Sequence, residues 1–261
     1  MIAGLVVGSA GISPSMATTG AAGELLRPIP VLESTQGRLH VTLDIVIARR
    51  TVAHNVSFMV RTYNGSIPGP TLLTRPGDNV SITLRNLLET NTPLPGSSAP
   101  LNTPRAANSS NLHVHGIYDS SQHDNTFFTV DPGGQHTWHY TINPACGSSL
   151  MWYHPHLDGS SAMQLGGGML GGFVVEYAPH EKLFESWDTH LLVLQTLDMN
   201  PESKDSIHRL LEDELSSGDD ARISNLPLQF LNPEGFKDVM LLANEQVYRC
   251  VGIYGCKNKY V

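Results

Sequence analysis

Two His-x-His pairs, His113-Val114-His115 in NLHVHG and His154-Pro155-His156 in MWYHPHLDG, have the residue type and spacing for metal chemistry. Both sit in segments that read as β-strand, where side chains two apart leave the same face. Each pair can therefore aim two imidazoles at one point, and neighbouring strands would bring four together. Imidazole nitrogen suits copper or zinc. The other histidines read differently. His40, His54, His123, His180, His190 and His208 stand among polar residues, as ordinary surface side chains do. His136 and His139 are three apart in QHTWHY, which on a strand puts them on opposite faces.

Strands must position these pairs, and the chain supplies strand signals. Leu39, Val41, Leu43, Ile45 and Ile47 alternate with His40, Thr42 and Asp44, predicting a half-buried strand. Val56 to Tyr63 predicts a second, ended by the turn cluster NGSIPGP. TRPGDNV predicts a hairpin-like turn before the alternating Val80, Ile82 and Leu84. Residues Asn91 to Ser110 form a long Pro-, Asn- and Ser-rich loop. Asn111 to Ile117, Gln135 to Ile142, Leu150 to His156 and Leu170 to Glu176 predict four more strands. Many short strands separated by Gly and Pro turns point to an antiparallel sandwich or barrel. After Tyr177 the texture changes: His190 to Leu197 and Asp238 to Asn244 read as strands, and Ser206 to Leu215 as an amphipathic helix in an insertion.

Composition bounds the function. A net charge of -8 with no Lys/Arg cluster argues against nucleic acid as a partner. Charged residues are only 15%, and 24 Gly with 17 Pro favour short strands over long helices. No run approaches the length of a membrane-spanning helix. The segment Met1 to Ala10 is apolar but lacks a basic start, so it reads as a degenerate signal peptide or as the remnant of a start placed too far downstream. Together with the sequons at Asn55, Asn64, Asn79 and Asn108, that leans towards a secreted or extracytoplasmic protein. Three cysteines leave an odd thiol unless one pairs between chains; a Cys250–Cys256 bridge that leaves Cys146 over is one option.

The motifs YNGSIPGPTLLTRPGD, NLHVHG, DPGGQHTWHYTI, MWYHPHLDG and GGGMLGGFVVE follow one another in an order that resembles the first cupredoxin domain of the laccase-like multicopper oxidases. The resemblance covers Leu39 to Tyr177; HLLVLQTLDMN and MLLANEQVY resemble, more weakly, the opening of the family's second domain. It implies an all-β fold: a cupredoxin-like Greek-key β-sandwich, followed by an incomplete second cupredoxin-like region with a short helix. The implied layout is a disordered or degenerate signal segment over 1–24, a cupredoxin (plastocyanin-like) domain over 25–180, a partial second one over 181–248 and an irregular tail over 249–261. The resemblance also implies copper as cofactor. His113 would bind the type 2 ion of a trinuclear cluster, and His115, His154 and His156 the type 3 pair. The family's other cluster ligands surround a type 1 copper cysteine, and Cys146, Cys250 and Cys256 have no flanking His.

The chain thus reads as an N-terminal portion of a multicopper oxidase, whether through truncation, alternative splicing or an incomplete gene model, or as a degenerate relative. Dioxygen and a phenolic, aromatic amine or metal-ion substrate would be partners only if the missing domain is supplied. The alternative is a non-catalytic copper-binding or interaction module on the same fold. Two rivals are weaker. His-x-His-x-Asp in HPHLDG resembles a metallo-β-lactamase zinc motif, but Gly159 replaces the next His. A cupin-like single-metal site would leave one pair unexplained. Trp152 reads as a sandwich core residue, and the glycines from Gly166 to Gly172 as a tight strand approach rather than a phosphate loop.

Overall fold

The computed structural model describes residues 4–8, 28–53, 56–91, 106–176, 190–198, 239–243 and 246–247. Thirteen strands and one short helix are present among them. They are β1 (Gly4–Gly8), β2 (Val31–Glu33), β3 (Arg38–Ala53), β4 (Val56–Tyr63), β5 (Thr71–Thr74), β6 (Asn79–Asn86), β7 (His113–His115), β8 (Gln135–Thr141), β9 (Ser149–His154), α1 (Ser161–Gly166), β10 (Gly171–Val175), β11 (His190–Asp198), β12 (Val239–Ala243) and β13 (Gln246–Val247). The fold is an all-β, cupredoxin-like Greek-key sandwich.

Two sheets make the sandwich, in the orders β4-β3-β6-β8 and β2-β5-β10-β9-β7. The alternation read along β3 and β6 decides what goes inside. Leu39, Val41, Leu43 and Ile45 from β3 and Val80, Ile82 and Leu84 from β6 meet Leu72, Val114, Met151, Tyr153, Phe173 and Val175 of the facing sheet in one core. Each such side chain contributes about 1.5–3 kcal/mol on burial. The bidentate surface pair Arg85–Asp44 (2.6 and 2.7 Å) is screened by solvent and contributes little. Apolar parity, not surface charge, therefore holds the strands in register.

Three corrections to the expected strand plan follow from the connections. The sheets are mixed rather than antiparallel: β3 runs parallel to β6, and β5 parallel to both β2 and β10. TRPGDNV is a turn, closed by the Arg75 N–H donating to Asp78 Oδ2 (2.7 Å), but it is no hairpin. It carries the chain from β5 in one sheet to β6 in the other, so sheet neighbours need not be consecutive or antiparallel. Gly4–Gly8, expected within a disordered or signal-like segment, forms β1 and pairs antiparallel with β11. Its Leu5-Val6-Val7 core has the β-branched apolar composition that strand pairing favours.

β11, β12 and β13 complete the sheet that β1 joins. The helix expected over Ser206 to Leu215, and both Cys250 and Cys256, lie outside the described residues; Cys146 is a free thiol. The expected tight approach of glycine is present at Gly171, where an added Cβ would lie 2.2 Å from the Tyr153 ring. Gly166 instead ends α1, a helix with no counterpart in the sequence reading. The sequon at Asn108 is buried, and its Oδ1 accepts from the Arg61 guanidinium (2.5 and 2.8 Å), so the folded chain offers no acceptor there.

Candidate metal centre

The first His pair lies on a strand of only three residues, so other groups must hold it. A polar clamp does so immediately upstream. Asn86 Nδ2 donates to the Asn108 and Val130 carbonyls (2.6 and 2.9 Å), and Gln164 Nε2 donates to those of Ala107 and Ser109 (2.9 and 2.8 Å). Ser110 pairs through its backbone with Val130 in both directions. Buried amides that are fully satisfied in this way fix a segment without regular structure.

From the clamp β7 enters the sheet edge and pairs antiparallel with β9, placing His113 opposite His154, Val114 opposite Tyr153 and His115 opposite Trp152. Val114, Tyr153 and Met151 turn into the core. By the period of two, His113, His115, Trp152 and His154 share the other face. The two pairs do converge: ring centroids lie 5.2 Å apart for His113 and His154, 5.1 Å for His113 and His156, and 5.7 Å for His115 and His154.

Their arrangement differs from two equal strand-borne pairs. Only His154 is on β9; Pro155, which has no N–H to donate, ends the ladder, and His156 lies beyond it. Accordingly the ligand nitrogens of His113, His115 and His154 all fall within 4.8 Å of one another, and His156 stands beside this trio rather than in it. Nitrogens sharing one ion at bonds of 2.0–2.1 Å can be no more than about 4.2 Å apart. The trio's 4.8 Å spread fits one ion drawing the rings slightly inward or neighbouring ions that divide the rings between them.

Electrostatics prepares two of the rings. His113 Nδ1 donates to Asp124 Oδ2 (2.5 Å), while Asp124 Oδ1 accepts from the Val114 N–H (3.2 Å) and the Tyr140 hydroxyl (3.0 Å). Burial works to raise the Asp124 carboxyl, but these hydrogen bonds outweigh it and hold the group below its ordinary value. An ionised carboxylate fixes the ring's tautomer and leaves Nε2 with its lone pair outward. His154 Nδ1 donates to the Pro155 carbonyl (2.9 Å), which again frees Nε2. Burial lowers the His154 pKa to about 4, with smaller contributions from the neighbouring imidazoles, so the ring is neutral at pH 7. Its Nε2 faces His115 Nδ1 at 3.5 Å, a spacing that one shared proton or one cation satisfies.

Asp124 was missed by the sequence reading. It lies 11 residues beyond His113 in a polar loop, with no periodicity to mark it. Trp152 is a correction: it packs on the imidazole face rather than in the sandwich core, stacked on His154 (4.1 Å) and His115 (5.2 Å). Asp158 belongs to no group of three or more converging ligand atoms among the described residues, which removes the zinc-hydrolase geometry. The remaining histidines are dispersed. His40 and His123 are exposed, and His136 leans on Phe128 (4.0 Å) while His139 bonds Ser81 on the strand's other side. His54, His180 and His208 are outside the described residues.

The multicopper oxidase family model matches residues 46–97 and 101–180, just over half of the chain and both histidine pairs. The chain belongs to the multicopper oxidase family. It is 25% identical over 208 residues to a multicopper oxidase of Staphylococcus haemolyticus, covering 74% of this chain and 42% of that protein. Against copper resistance protein A of Pseudomonas syringae it is 26% identical over 216 residues (79% and 29%), and against laccase-12 of rice, Oryza sativa, 29% over 152 residues (52% and 23%). The chain thus spans less than half the length of these relatives. Among solved structures, a laccase-like oxidase of Ochrobactrum sp. superposes with a TM-score of 0.48 at 21% identity over 60% of this chain and 31% of that one. The family brings copper as the expected metal, and the imidazole donor set suits it.

Proposed function

We propose that this multicopper oxidase chain contributes half of the histidines of a trinuclear copper cluster, for substrate oxidation coupled to dioxygen reduction to water. In this reading His113 holds the type 2 ion, and His115, His154 and His156 hold the type 3 pair. The observation that carries it is the convergence of three imidazoles from β7 and β9, two of them with Nε2 freed by a fixed partner on Nδ1. Bound copper supplies the redox chemistry; the chain supplies the cradle. Asp124 orients His113 and offsets positive charge, the Pro155 carbonyl orients His154, and Trp152 shields one side of the two imidazoles on which it stacks. Electron delivery and the remaining ligands come from a second copper-bearing module, and the reducing substrates are phenols, aromatic amines or low-valent metal ions.

Copper per chain after reconstitution, measured for the parent, His113→Ala and His154→Ala, tests the assignment. Loss of copper in both variants is expected. Copper content unchanged in both would overturn it.

A further inference from the structure

One fully buried side chain ties the two histidine-bearing segments together. Asn111 lies two residues before His113 and is 0% exposed. Its Oδ1 accepts from the backbone N–H of His156 (2.6 Å), and its Nδ2 donates to the Thr126 carbonyl (2.6 Å). An amide N–H can only donate and a carbonyl only accept, so these partners fix which way the Asn111 amide points. The β7–β9 ladder does not reach His156, because its last registered pair on that side is His113 with His154. The Asn111 amide continues the registration one step past the strand end. Thr126 is two residues from Asp124, the carboxylate that orients His113, so the same side chain also holds that loop. Asn111 is itself held from drifting: the adjacent Ser110 is pinned by its backbone to Val130 and by its hydroxyl to Gln164 Oε1 (2.8 Å).

We propose that Asn111 is a positioning residue for the copper site, setting the His156 imidazole against the other three through the main chain without touching metal. The inference rests on the copper reading of the four histidines given above. It predicts that Asn111 and His156 act as one unit.

The test uses the full chain, titrated with copper against a competing chelator, as parent, Asn111→Ala, His156→Ala and the double variant. Asn111→Ala should weaken copper binding roughly tenfold, as loss of an orienting group typically does. The double variant should be no weaker than His156→Ala alone. In the metal-free chain, the His156 amide should be protected from hydrogen exchange in the parent and lose that protection in Asn111→Ala, while the β7–β9 ladder amides keep theirs. Two independent, multiplying losses in the double variant would overturn the proposal, as would loss of ladder protection along with that of His156, or unchanged affinity in Asn111→Ala. Should Asn111→Ala not fold, Asn111→Ser, which leaves a hydroxyl in the space, is read by the same two measurements. Copper binding that ignores His113→Ala and His154→Ala would instead sink the underlying copper assignment, so the two failures are distinct.

Discussion

Two imidazole–carboxylate pairs lie near each other in sequence, His113 with Asp124 (2.5 Å) and His123 with Asp119 (2.8 Å), and they have different surroundings. In the first pair the side chains are 21% and 11% exposed, and two further imidazoles bring their nitrogens within 4.8 Å. In the second, His123 is 60% exposed and sits four residues from its aspartate on one loop. A single further imidazole, His139, lines the cavity of about 270 Å³ beside it, and among the described residues these groups do not form a set of three converging ligand atoms. A carboxylate set against Nδ1 is therefore common to both places. Convergence across a strand ladder, around one buried imidazole, His154, belongs to one.

The largest effect that would break this contrast is on copper itself. His154→Ala should lower copper affinity by at least about 100-fold, as removal of a buried first ligand implies, whereas His123→Ala should change it less than about twofold; competitive titration reads both. Next, Asp124→Asn should cost about 10- to 100-fold while Asp119→Asn costs nothing, by the same titration. Equal losses at the two aspartates would erase the distinction.

A third test uses protons in place of metal. His154 is held neutral by burial, with its pKa near 4 in the folded chain against about 6.5 unfolded. Between those values the unfolded chain binds more protons, so metal-free stability is intact above pH 6.5 and falls as the pH drops towards 4, by roughly 2–3 kcal/mol. Urea unfolding at pH 7, 5.5 and 4 should show the slope in the parent and a flatter one in His154→Gln. Smallest of all, His139→Ala removes a surface hydrogen bond to Ser81 and should shift stability by at most ~0.5 kcal/mol, measured the same way, with copper unaffected.

How far the molecule could be read in advance depends on whether information is local. The β3 and β6 alternation is a period-two signal written into adjacent residues, and it placed Leu43, Ile45, Ile82 and Leu84 in the core. The His113–His115 pair follows the same strand period, whereas His156 reaches the other rings from beyond the end of β9. The parallel β3–β6 pairing was not legible, because it depends on a crossing between sheets that no local pattern encodes. Asp124 escaped because its role exists only once the loop before β8 has folded back over β7, and Asn111 because its role exists only once β9 has paired beside β7. Trp152 is the instructive case. Its spacing of two from His154 already assigned it to the imidazole face, and reading it by residue type, as a bulky core aromatic, set aside the stronger geometric rule.

That indole has a practical consequence. Trp152 stacks on two imidazoles of the trio, with ring centroids 4.1 and 5.2 Å away, and an open-shell Cu(II) ion nearby drains an excited indole without emission. The chain therefore carries its own optical gauge: titrating Cu(II) should dim the Trp152 share of its fluorescence in step with filling, Cu(I) should dim it less, and Trp152→Phe should remove most of the copper-sensitive part while Trp138 and Trp187 still emit.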